Sequence, residues 1–369
     1  MTERLKHDPR YQLVKREKIS FSQAMAIRAI ALVLSLIVCA IVIVMITKMN
    51  PFHVYAGIWD GALGTTRRMW ITIRDSAILL CVSLAILPAF KMRFWNIGAE
   101  GQILVGALAT AALMIYGKNL PSAVLFTLMP LCAILAGMLW GFIPAYFKAN
   151  WNTNETLFTL MLNYIAMQLV AFAITFWENP KGSNSVGLIN MPTKSGWIPN
   201  VFGNSYIFPV LIVLLLLVLI YIYINFSKQG YEIAVVGESE NTAKYAGINV
   251  KKVILRTMMI SGGISGIAGF LLVSGVGHTI STSLSGGRGF TAIIVAWLGK
   301  LNPFAMTFVA FFLIFMQKGS IQIATQFKLN ESASDIITGI ILFFILGCEF
   351  FIQYRFEKRH PSSQEAVKA

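Results

Sequence analysis

Long runs of apolar residues follow one another along this chain, separated by short polar stretches. A run of about twenty apolar residues can cross the hydrocarbon core of a bilayer as a helix. The pattern therefore predicts an all-α fold, a polytopic membrane protein with about ten transmembrane helices. We place these segments near residues 27–47, 70–89, 96–116, 121–147, 155–177, 206–226, 253–273, 288–299, 303–318 and 334–353. The stretch 51–66 is expected to be a surface helix or loop.

The eighth segment is too short to cross the membrane alone. Gly289 to Gly299 would form about 16 Å of helix, whereas the hydrocarbon core is about 30 Å thick. The preceding stretch, Ser283–Arg288, is therefore expected to lie within the membrane depth. Irregular backbone is tolerated there only where protein or a water-filled cavity covers it. This stretch is thus a candidate for the lining of a pathway.

The basic residues indicate how the chain is oriented. The net charge is +14, but Lys and Arg bracket the apolar segments and form no stripe with aromatic residues, so nucleic-acid binding is not expected. With the N-terminus inside, most of the 30 Lys and Arg fall on the inner side, which predicts that both termini are cytoplasmic. Arg67, Arg68 and Arg74 fall on the outer side, where we expect their long side chains to reach lipid headgroups. The predicted parts are a cytoplasmic leader (1–26), a transmembrane domain (27–353) and a cytoplasmic tail (354–369).

Two loops differ from the rest in composition. The outer loop 178–205 is rich in Gly, Pro, Asn and Ser, and we expect little regular structure there. The inner loop 227–252 contains acids at Glu238 and Glu240, Lys244 four residues after the second acid, and Gly247 three residues beyond that. Because these are start and stop signals that suit the helix dipole, we predict a short cytoplasmic helix at 238–246.

The stretch Trp95–Gln102, WNIGAEGQ, places polar side chains between two apolar segments. Asn96 can cap the helix that follows, and Glu100 would lie in its first turn, where the dipole favours an acid. Alternatively, the break exposes Asn96, Glu100 or Gln102 to a polar solute. Nearby basic residues place the stretch close to the inner side, which favours Glu100 as an acid that specifies the fold over a solute ligand.

Two further stretches carry polar groups at membrane depth. Glu155 lies at a helix start and is expected to be a cap or a loop anchor, while Asn163, two turns deeper, needs partners from a neighbouring helix or a solute. In Ser285–Phe290, SGGRGF, Arg288 is expected to reach a carbonyl or a headgroup in preference to a solute. The flanking glycines, Gly287 among them, indicate that backbone conformation matters there.

The remaining features indicate structure more than chemistry. Gly262 and Gly266 have the spacing of two small residues on one helix face, which predicts close helix packing. The four cysteines all lie in apolar segments and match no metal-binding spacing. No catalytic or nucleotide-binding motif is present, so we expect neither enzyme activity nor a metal or cofactor bound by this chain.

Four stretches of the sequence resemble a known family. They are FWNIGAEGQ at 94–102, NETLFTLMLNYIA at 154–166, YEIAVVGESENTAKYAGINV at 231–250 and GFTAIIVAWLGKLNP at 289–303. They look like the permeases of bacterial ABC importers, specifically the nucleoside branch of the branched-chain amino acid/ribose-type group. The resemblance spans about residues 70 to 350. Trp95 departs from it, because the family often has a smaller residue there.

The resemblance implies a set of partners in the bacterial cytoplasmic (inner) membrane. This chain would pair with a second, related permease, two ATPase subunits would bind ATP and Mg on the inner face, and an extracellular or lipid-anchored binding protein would deliver the solute. The chain itself would hydrolyse no ATP. The predicted cytoplasmic helix would dock on an ATPase and transmit its closure. The residues that match the family in this coupling loop are Gly237, Glu238, Asn241, Ala243 and Gly247.

The implied activity is import of nucleosides by alternating access. A nucleoside is neutral, so amides, hydroxyls and aromatic faces suit its pathway. The predicted pathway residues are Asn96, Glu100, Gln102, Asn163, Gly287 and Phe290. The order of the segments is compatible with an inverted repeat, which would place broken helices at a shared central site. Two alternatives stay open: the same importer class for a simple sugar or a branched-chain amino acid, and a stand-alone secondary transporter or channel, which the capped cytoplasmic helix disfavours.

Overall fold

A computed structural model describes residues 11–16, 20–47, 50–201, 203–326, 336, 339–341, 343–344, 347–348, 350–352 and 354–358. The helices are α1 (Phe21–Thr47), α2 (Pro51–Leu63), α3 (Thr66–Lys91), α4 (Ala99–Tyr116), α5 (Ser122–Trp151), α6 (Glu155–Trp177), α7 (Ile207–Phe226), α8 (Lys228–Glu238), α9 (Glu240–Tyr245), α10 (Val250–Leu272), α11 (Arg288–Leu298) and α12 (Pro303–Gln326). A π-helical turn, Val273–Gly277, continues α10, and two short strands are β1 (Tyr11–Lys15) and β2 (Tyr354–Lys358). The chain forms two compact units, Thr65–Phe315 and a smaller one of Met1–Gly64 with Met316–Ala369.

Within the described residues, seven helices are long and apolar enough to cross a membrane: α3, α4, α5, α6, α7, α10 with its π turn, and α12. The predicted all-α membrane fold is therefore confirmed. The apolar stretch Ala29–Met45 of α1 and the whole of α11 are shorter. The tenth predicted segment, 334–353, lies largely outside the described residues.

The larger unit is centred on α10, which packs against α4 and α5. Glycines allow these helices to approach closely. A side-chain carbon added at Gly262 would stand 2.8 Å from the carbonyl carbon of Gly137, and one added at Gly266 would stand 2.8 Å from that of Ala133. Since both distances are below van der Waals contact, the predicted close packing at Gly262 and Gly266 is confirmed.

Helix α3 lies between α10, α7 and α11. Its buried residues run without interruption from Asp75 to Phe90, so it has no solvent-facing or lipid-facing side in this stretch. Its hydroxyl groups are satisfied within the helix: Ser76 donates to the Thr72 carbonyl at 2.7 Å, and Ser83 makes the same bond one turn back at 2.8 Å. All-round burial explains a sequence that is apolar on every face.

Helix α11 confirms the predicted short segment. Its eleven residues span about 16 Å, and its last turn lies at the end of α3, where the rings of Trp297 and Phe90 are 6.3 Å apart. Residues 278–287, which lead into it, form turns, and Gly286 and Gly287 have φ of +57° and +72°. Helix α11 is therefore about half as long as a 30 Å hydrocarbon core is thick.

The smaller unit contains a helix where the sequence predicted a surface helix or loop. Asn50 caps α2 by accepting a hydrogen bond from the Phe52 amide at 3.0 Å, and Pro51 occupies the first helical position. One face of α2 is buried: Val54, Gly57, Ile58 and Ala62. The spacing of these four residues is that of an amphipathic helix, so the segment is a packed helix and not merely a surface one.

The same unit contains a strand pair that the sequence analysis did not predict. Strand β1 runs antiparallel to β2, with Tyr11 opposite Lys358 and Lys15 opposite Tyr354. The strands are five residues each and far apart in sequence, so no local pattern reveals their pairing. They join parts of the predicted leader and tail, whose boundaries stay predictions.

The inner loop contains two helices where one was predicted. Residue Ser239 is extended, with φ of −160°, and its side chain caps α9 by accepting from the Thr242 amide at 3.2 Å. The predicted helix at 238–246 therefore begins at Glu240, and Glu238 instead ends α8. Helix α8 was missed because it contains two glycines and has no acid in its first turn.

Replacing Gly262 by Ala is expected to destabilise the larger unit, because the added methyl group has no room between the backbones of α10 and α5. Overpacking of this kind costs about 1–3 kcal/mol. The measurement is the thermal unfolding midpoint of the purified membrane protein, together with its yield from membranes.

The matched control is Gly263→Ala, on the neighbouring residue of the same helix. There the added carbon would meet the flexible side chain of Met138, with 3.0 Å to its Cγ, which can move aside. Both changes give the same gain in helix preference. Equal unfolding midpoints for the two variants would contradict the packing described for α5 and α10.

Candidate functional site

Two irregular stretches of the larger unit lead into helices that meet at their first turns, α4 and α11. The first, 92–98, joins α3 to α4, and the second, 278–287, joins the π turn to α11. Backbone N–H and C=O groups in such stretches lack helical partners, and within a membrane they need others. Side chains of α4, α6 and α10 supply them.

Helix α6 holds the first stretch through two side chains. Asn163 donates from Nδ2 to the Ile97 carbonyl at 2.9 Å and accepts at Oδ1 from the Gly101 amide at 2.8 Å. One turn earlier, Thr159 Oγ1 accepts from the Ile97 amide at 3.3 Å. A neighbouring segment therefore supplies the partners that the buried amide of Asn163 requires.

Asn96 and Gln102 form a buried pair of amide side chains. Asn96 donates from Nδ2 to Ser261 Oγ on α10 at 3.0 Å and to Gln102 Oε1 at 3.3 Å, while its Oδ1 accepts from the Gly98 amide at 3.0 Å. Helix α4 begins only at Ala99, and its N-cap residue makes no side-chain cap. The predicted cap at Asn96 is therefore wrong, because the helix starts later and this side chain closes the turn that precedes it.

Glu100 joins the two irregular stretches. Its Oε1 accepts from Ser285 Oγ at 2.5 Å and from the Gly287 amide at 2.9 Å, and its Oε2 accepts from the Gly289 amide at 2.7 Å. Two of these donors are backbone amides at the start of α11, where the helix dipole is positive. Three donors compensate the burial of a carboxylate. This arrangement agrees with Glu100 as an acid that specifies the fold.

Glycines allow the first turn of α4 to approach both the start of α11 and the Asn163 side chain of α6 this closely. A side-chain carbon added at Gly289 would stand 2.5 Å from the Glu100 amide nitrogen, and one added at Gly101 would stand 2.9 Å from Asn163 Oδ1. Neither position has room for a larger residue without displacing backbone or a hydrogen-bonded amide.

The position of Arg74 differs from the sequence prediction. Its Nη2 and Nε lie 2.9 Å and 3.0 Å from Asp75 Oδ1, and its guanidinium carbon lies 5.2 Å from the centre of the Tyr206 ring. The side chain is 11% exposed. The expectation that Arg74 reaches a lipid headgroup is therefore wrong, because an adjacent carboxylate and an aromatic face hold it against the protein.

Arg288 lies at the start of α11 beside these charges. Its Nη1 donates to the Ser285 carbonyl at 3.0 Å, which confirms the predicted carbonyl contact. Asp75 and Glu100 are its negatively charged neighbours, and Arg74 is a positive one. The larger unit thus holds two acids and two arginines close together at membrane depth.

The six predicted pathway residues differ in whether the protein itself satisfies their hydrogen bonds. Four hold their polar atoms in hydrogen bonds within the protein: Asn96, Glu100, Gln102 and Asn163. The other two face outward. No heavy atom lies within 4 Å of a carbon added at Gly287, and the Phe290 side chain is 44% exposed. Their contact with a solute stays a prediction.

Glu155 anchors a loop, as predicted, and does not cap α6. It pairs with Lys148 at the end of α5, with 2.9 Å between Oε2 and Nζ. The cap is Asn154, which accepts from the Leu157 amide at 3.1 Å. The pair ties the turn between α5 and α6 at the predicted inner face.

An aromatic cluster at the C-terminal end of α3 was missed by the sequence analysis. The rings of Trp95 and Trp297 stack 5.7 Å apart at 28°, and Phe90 lies 5.6 Å from Trp95. Both tryptophans are about half exposed. No sequence signal pairs them, because they belong to segments that are distant along the chain.

The outer loop 178–205 has turns and little regular structure, as expected, but it is docked on the end of α10. The Ile198 amide donates to the Ser274 carbonyl at 3.0 Å, and the Trp197 ring stacks on the His278 imidazole with 3.7 Å between centres. A cavity of about 690 Å³ lies beside this stacked pair.

The predicted coupling loop has one buried and one exposed side. In α9, Ala243 is fully buried and Tyr245 is 93% exposed. Glu238 and Asn241 are exposed. Gly247 ends the helix with φ of +75°, a conformation that glycine adopts readily, as its stop signal predicted.

Helix α8, which precedes α9 in this loop, packs against the end of α3. A side-chain carbon added at Gly237 would stand 3.2 Å from the Met92 Cα, so the two backbones are in close contact. An ion pair of 3.0 Å between Glu232 and Arg256 joins α8 to α10. A cavity of about 230 Å³ lies between the α8–α9 junction, the end of α3 and the Lys148–Glu155 pair. Among the described residues, no group of three His, Cys, Asp or Glu side chains could hold a metal ion.

Replacing Glu100 by Gln is expected to release the second stretch from α4. In glutamine an NH₂ group replaces one carboxylate oxygen. It cannot accept the hydrogen bond from the Gly289 backbone N–H, and the negative charge at the start of α11 is lost. Hydrogen bonds to a charged group contribute about 1.5–3 kcal/mol each. We expect a lower thermal unfolding midpoint and faster maleimide labelling of a cysteine placed at position 283, in a chain without its native cysteines.

The matched control is Glu155→Gln, which breaks a pair at the membrane surface and should cost less than about 1 kcal/mol. One outcome for Glu100→Gln itself would overturn its structural role. If Glu100→Gln unfolds and labels like the unchanged chain but alters solute uptake, its carboxylate acts on the solute.

Comparison with known proteins identifies the family. Residues 69–346 match the family model described as branched-chain amino acid transport system / permease component. The match includes both irregular stretches, the outer loop and the coupling loop.

Several characterised relatives cover most of the chain. The guanosine ABC transporter permease NupP of Bacillus subtilis is 29% identical, over 86% of this chain and 91% of its own length. The nucleoside ABC transporter permease NupB of Lactococcus lactis is 27% identical, over 86% and 90%. The glucose ABC transporter permease TsgB13 of Haloferax volcanii is 26% identical, over 75% of each chain. A second guanosine permease of B. subtilis, NupQ, is 26% identical over 68% of this chain and 80% of its own.

The family match covers well over half of the chain, and the fold is that of a multi-pass membrane protein with broken helices at mid-depth. The chain therefore belongs to the family of permease components of branched-chain amino acid-type transport systems, and it is a membrane permease subunit of an ABC importer.

Proposed function

We propose that this chain forms part of the pathway by which nucleosides are imported. The contact between the starts of α4 and α11 supports this most strongly. Its acids are matched by arginines and backbone amides, so it suits a neutral solute with many hydrogen-bonding groups. The names of NupP and NupB, which cover most of this chain, support nucleosides as that solute.

The proposed assembly contains this chain, a second permease, two ATPase subunits and a solute-binding protein outside. The guanosine permeases NupP and NupQ of one organism both match this chain, which supports pairing of two related permeases. ATP and Mg would be bound by the ATPases and not by this chain. Both termini and the coupling loop would lie on the cytoplasmic side of the bacterial inner membrane, and ATP binding would switch the pathway between outward-open and inward-open states.

A simple sugar is the second candidate. It rests on the glucose permease TsgB13, which is 26% identical over three quarters of each chain. A sugar would use hydroxyl contacts only and would need no contact with an aromatic base. Branched-chain amino acids, which appear in the family description, would bring a charged ammonium and a carboxylate into a site whose own charges are already compensated.

Uptake by intact cells distinguishes these solutes. In a strain that lacks its own nucleoside importers, the complete transporter is expected to accumulate radiolabelled guanosine, adenosine or uridine at least tenfold above cells without this chain. Labelled ribose, glucose and leucine serve as comparisons in the same cells. Accumulation of ribose or glucose without any nucleoside would contradict the nucleoside assignment and favour the sugar.

The docking role of the coupling loop predicts a loss of uptake in Tyr245→Ala. Because Tyr245 is almost fully exposed, its removal should leave the permease folded and inserted. If it contacts an ATPase, truncating it should lower uptake and solute-stimulated ATP hydrolysis at least tenfold, since buried interface tyrosines often contribute 2 kcal/mol or more, roughly.

Tyr231→Ala is the matched control. Tyr231 is also exposed on the inner loop, at 66%, but it lies on α8 outside Gly237–Gly247, the part of the loop to which the docking role is assigned. Equal effects of the two changes, or no effect of either with the complex intact, would show that α9 does not form the docking contact.

A further inference from the structure

The cavity of about 690 Å³ opens where the outer loop meets the start of helix α5. Phe126, Trp197 and His278 contribute aromatic rings to its lining. The exposed residues that line it are Ser122, Ala123, Lys194, Pro199 and Asn200. Apolar rings within an exposed, largely polar rim are the arrangement found in protein docking sites.

The charges around this cavity favour a negatively charged occupant. Lys194 is the one Lys, Arg, Asp or Glu among the described residues that line it. Ser122 is the first residue of α5, a helix of 30 residues, so the positive end of a helix dipole also lies there. Glu178 is the only acid in the sequence of the outer loop, and it accepts a hydrogen bond from the Asn184 amide at 3.2 Å. A carboxylate gains from this positive potential, whereas a neutral nucleoside does not.

The wall that the outer loop gives to the cavity is held in place by the end of α10. The Ile198 amide donates to the Ser274 carbonyl at 3.0 Å, and the Ile189 amide donates to the His278 carbonyl at 2.8 Å. A wall that is already ordered lowers the entropy cost of binding. Since His278 begins the stretch 278–287, a partner in this cavity lies beside the segment that leads to α11.

We propose that this cavity is the docking site of the extracellular solute-binding protein, and that it receives a segment of that protein with a carboxylate and an apolar side chain. The inference rests on the proposed function, which supplies such a partner, and names the surface that the partner binds. The carboxylate would pair with Lys194, and the apolar side chain would pack on Phe126 and Trp197. The headgroup of an anionic lipid would satisfy Lys194 but has no apolar group for these rings.

The first test measures how fast the purified solute-binding protein associates with the complete transporter in phosphatidylcholine nanodiscs. We expect Lys194→Glu to slow association at least about tenfold at low salt and to remove most of its salt dependence, because a charge at the rim of an interface acts mainly on the association rate. The matched control is Lys118→Glu, at an exposed lysine that does not line the cavity. It should slow association no more than about threefold. Equal slowing by both changes, or none by Lys194→Glu, would overturn the proposal.

The second test fills the cavity. Ala123→Trp places a large ring at its rim and should weaken the equilibrium affinity for the solute-binding protein at least about tenfold, since the anchor of the partner loses its pocket. The matched control is Val124→Trp, on the next residue of α5, which is 44% exposed and does not line the cavity. Equal thermal unfolding midpoints establish that both variants fold. An unchanged affinity in Ala123→Trp would contradict docking here.

The remaining outcomes separate this inference from its rivals. If Lys194→Glu binds the solute-binding protein normally but is no longer stabilised against heat by phosphatidylglycerol, the cavity is a lipid site and the proposal is wrong. If the transporter imports a sugar and no nucleoside while Lys194→Glu still slows docking, the proposed solute fails and this inference stands. If no solute-binding protein binds the unchanged transporter, the proposed assembly and this inference both fail.

Discussion

The hydrogen bonds of one buried carboxylate hold the start of α4 against the start of α11. Glu100 lies in the first turn of α4 and accepts from the first amides of α11, so a single acid lies at the start of two helices that both begin inside the membrane. Each of these helix starts would otherwise expose unpaired N–H groups at a depth without water. Because Glu100 accepts from the amides of α11 and Asn163 accepts from the Gly101 amide of α4, the chain can interrupt its transmembrane segments twice and still bury the interruptions. The same contact holds the backbone at Gly287, next to Arg288, in place.

The contact in turn requires small residues around it. Gly289 allows the start of α11 to reach the Glu100 backbone, and Gly101 leaves room for the Asn163 amide that holds the first stretch. The same device is repeated between α5 and α10, where Gly137 and Gly262 bring two backbones together. These close approaches, with the all-round burial of α3, form a rigid frame, and the irregular stretches are the parts of it without helical hydrogen bonds.

Much of the fold could be predicted from the sequence, and the contacts of the site could not. The length of an apolar run and the thickness of a bilayer were enough to show that α11 is too short to cross the membrane alone. The partner of Glu100 could not be predicted, because Ser285 lies 185 positions away in the sequence and no local pattern joins the two residues. Arg74 was misjudged although Asp75 is its neighbour, since charge counting treats every basic residue near a membrane surface alike. Arg288 was ranked below Asn96 and Asn163 as a solute contact; in the structure all three side chains bond the broken backbone, and their contact with a solute stays a prediction.

The position of α8 suggests how events at the inner face reach this site. Gly237 touches the last turn of α3, and the next residues along the chain, 92–98, form the first irregular stretch. A displacement of α8 must move either α3 or the stretch 92–98. Helix α3 is buried on all sides between Asp75 and Phe90, so it resists movement, whereas 92–98 is held mainly by side-chain hydrogen bonds from α6 and α10. This stretch leads directly into the first turn of α4, where Glu100 bonds the start of α11, so the contact of α8 and the contact of Glu100 lie at the two ends of one short connection.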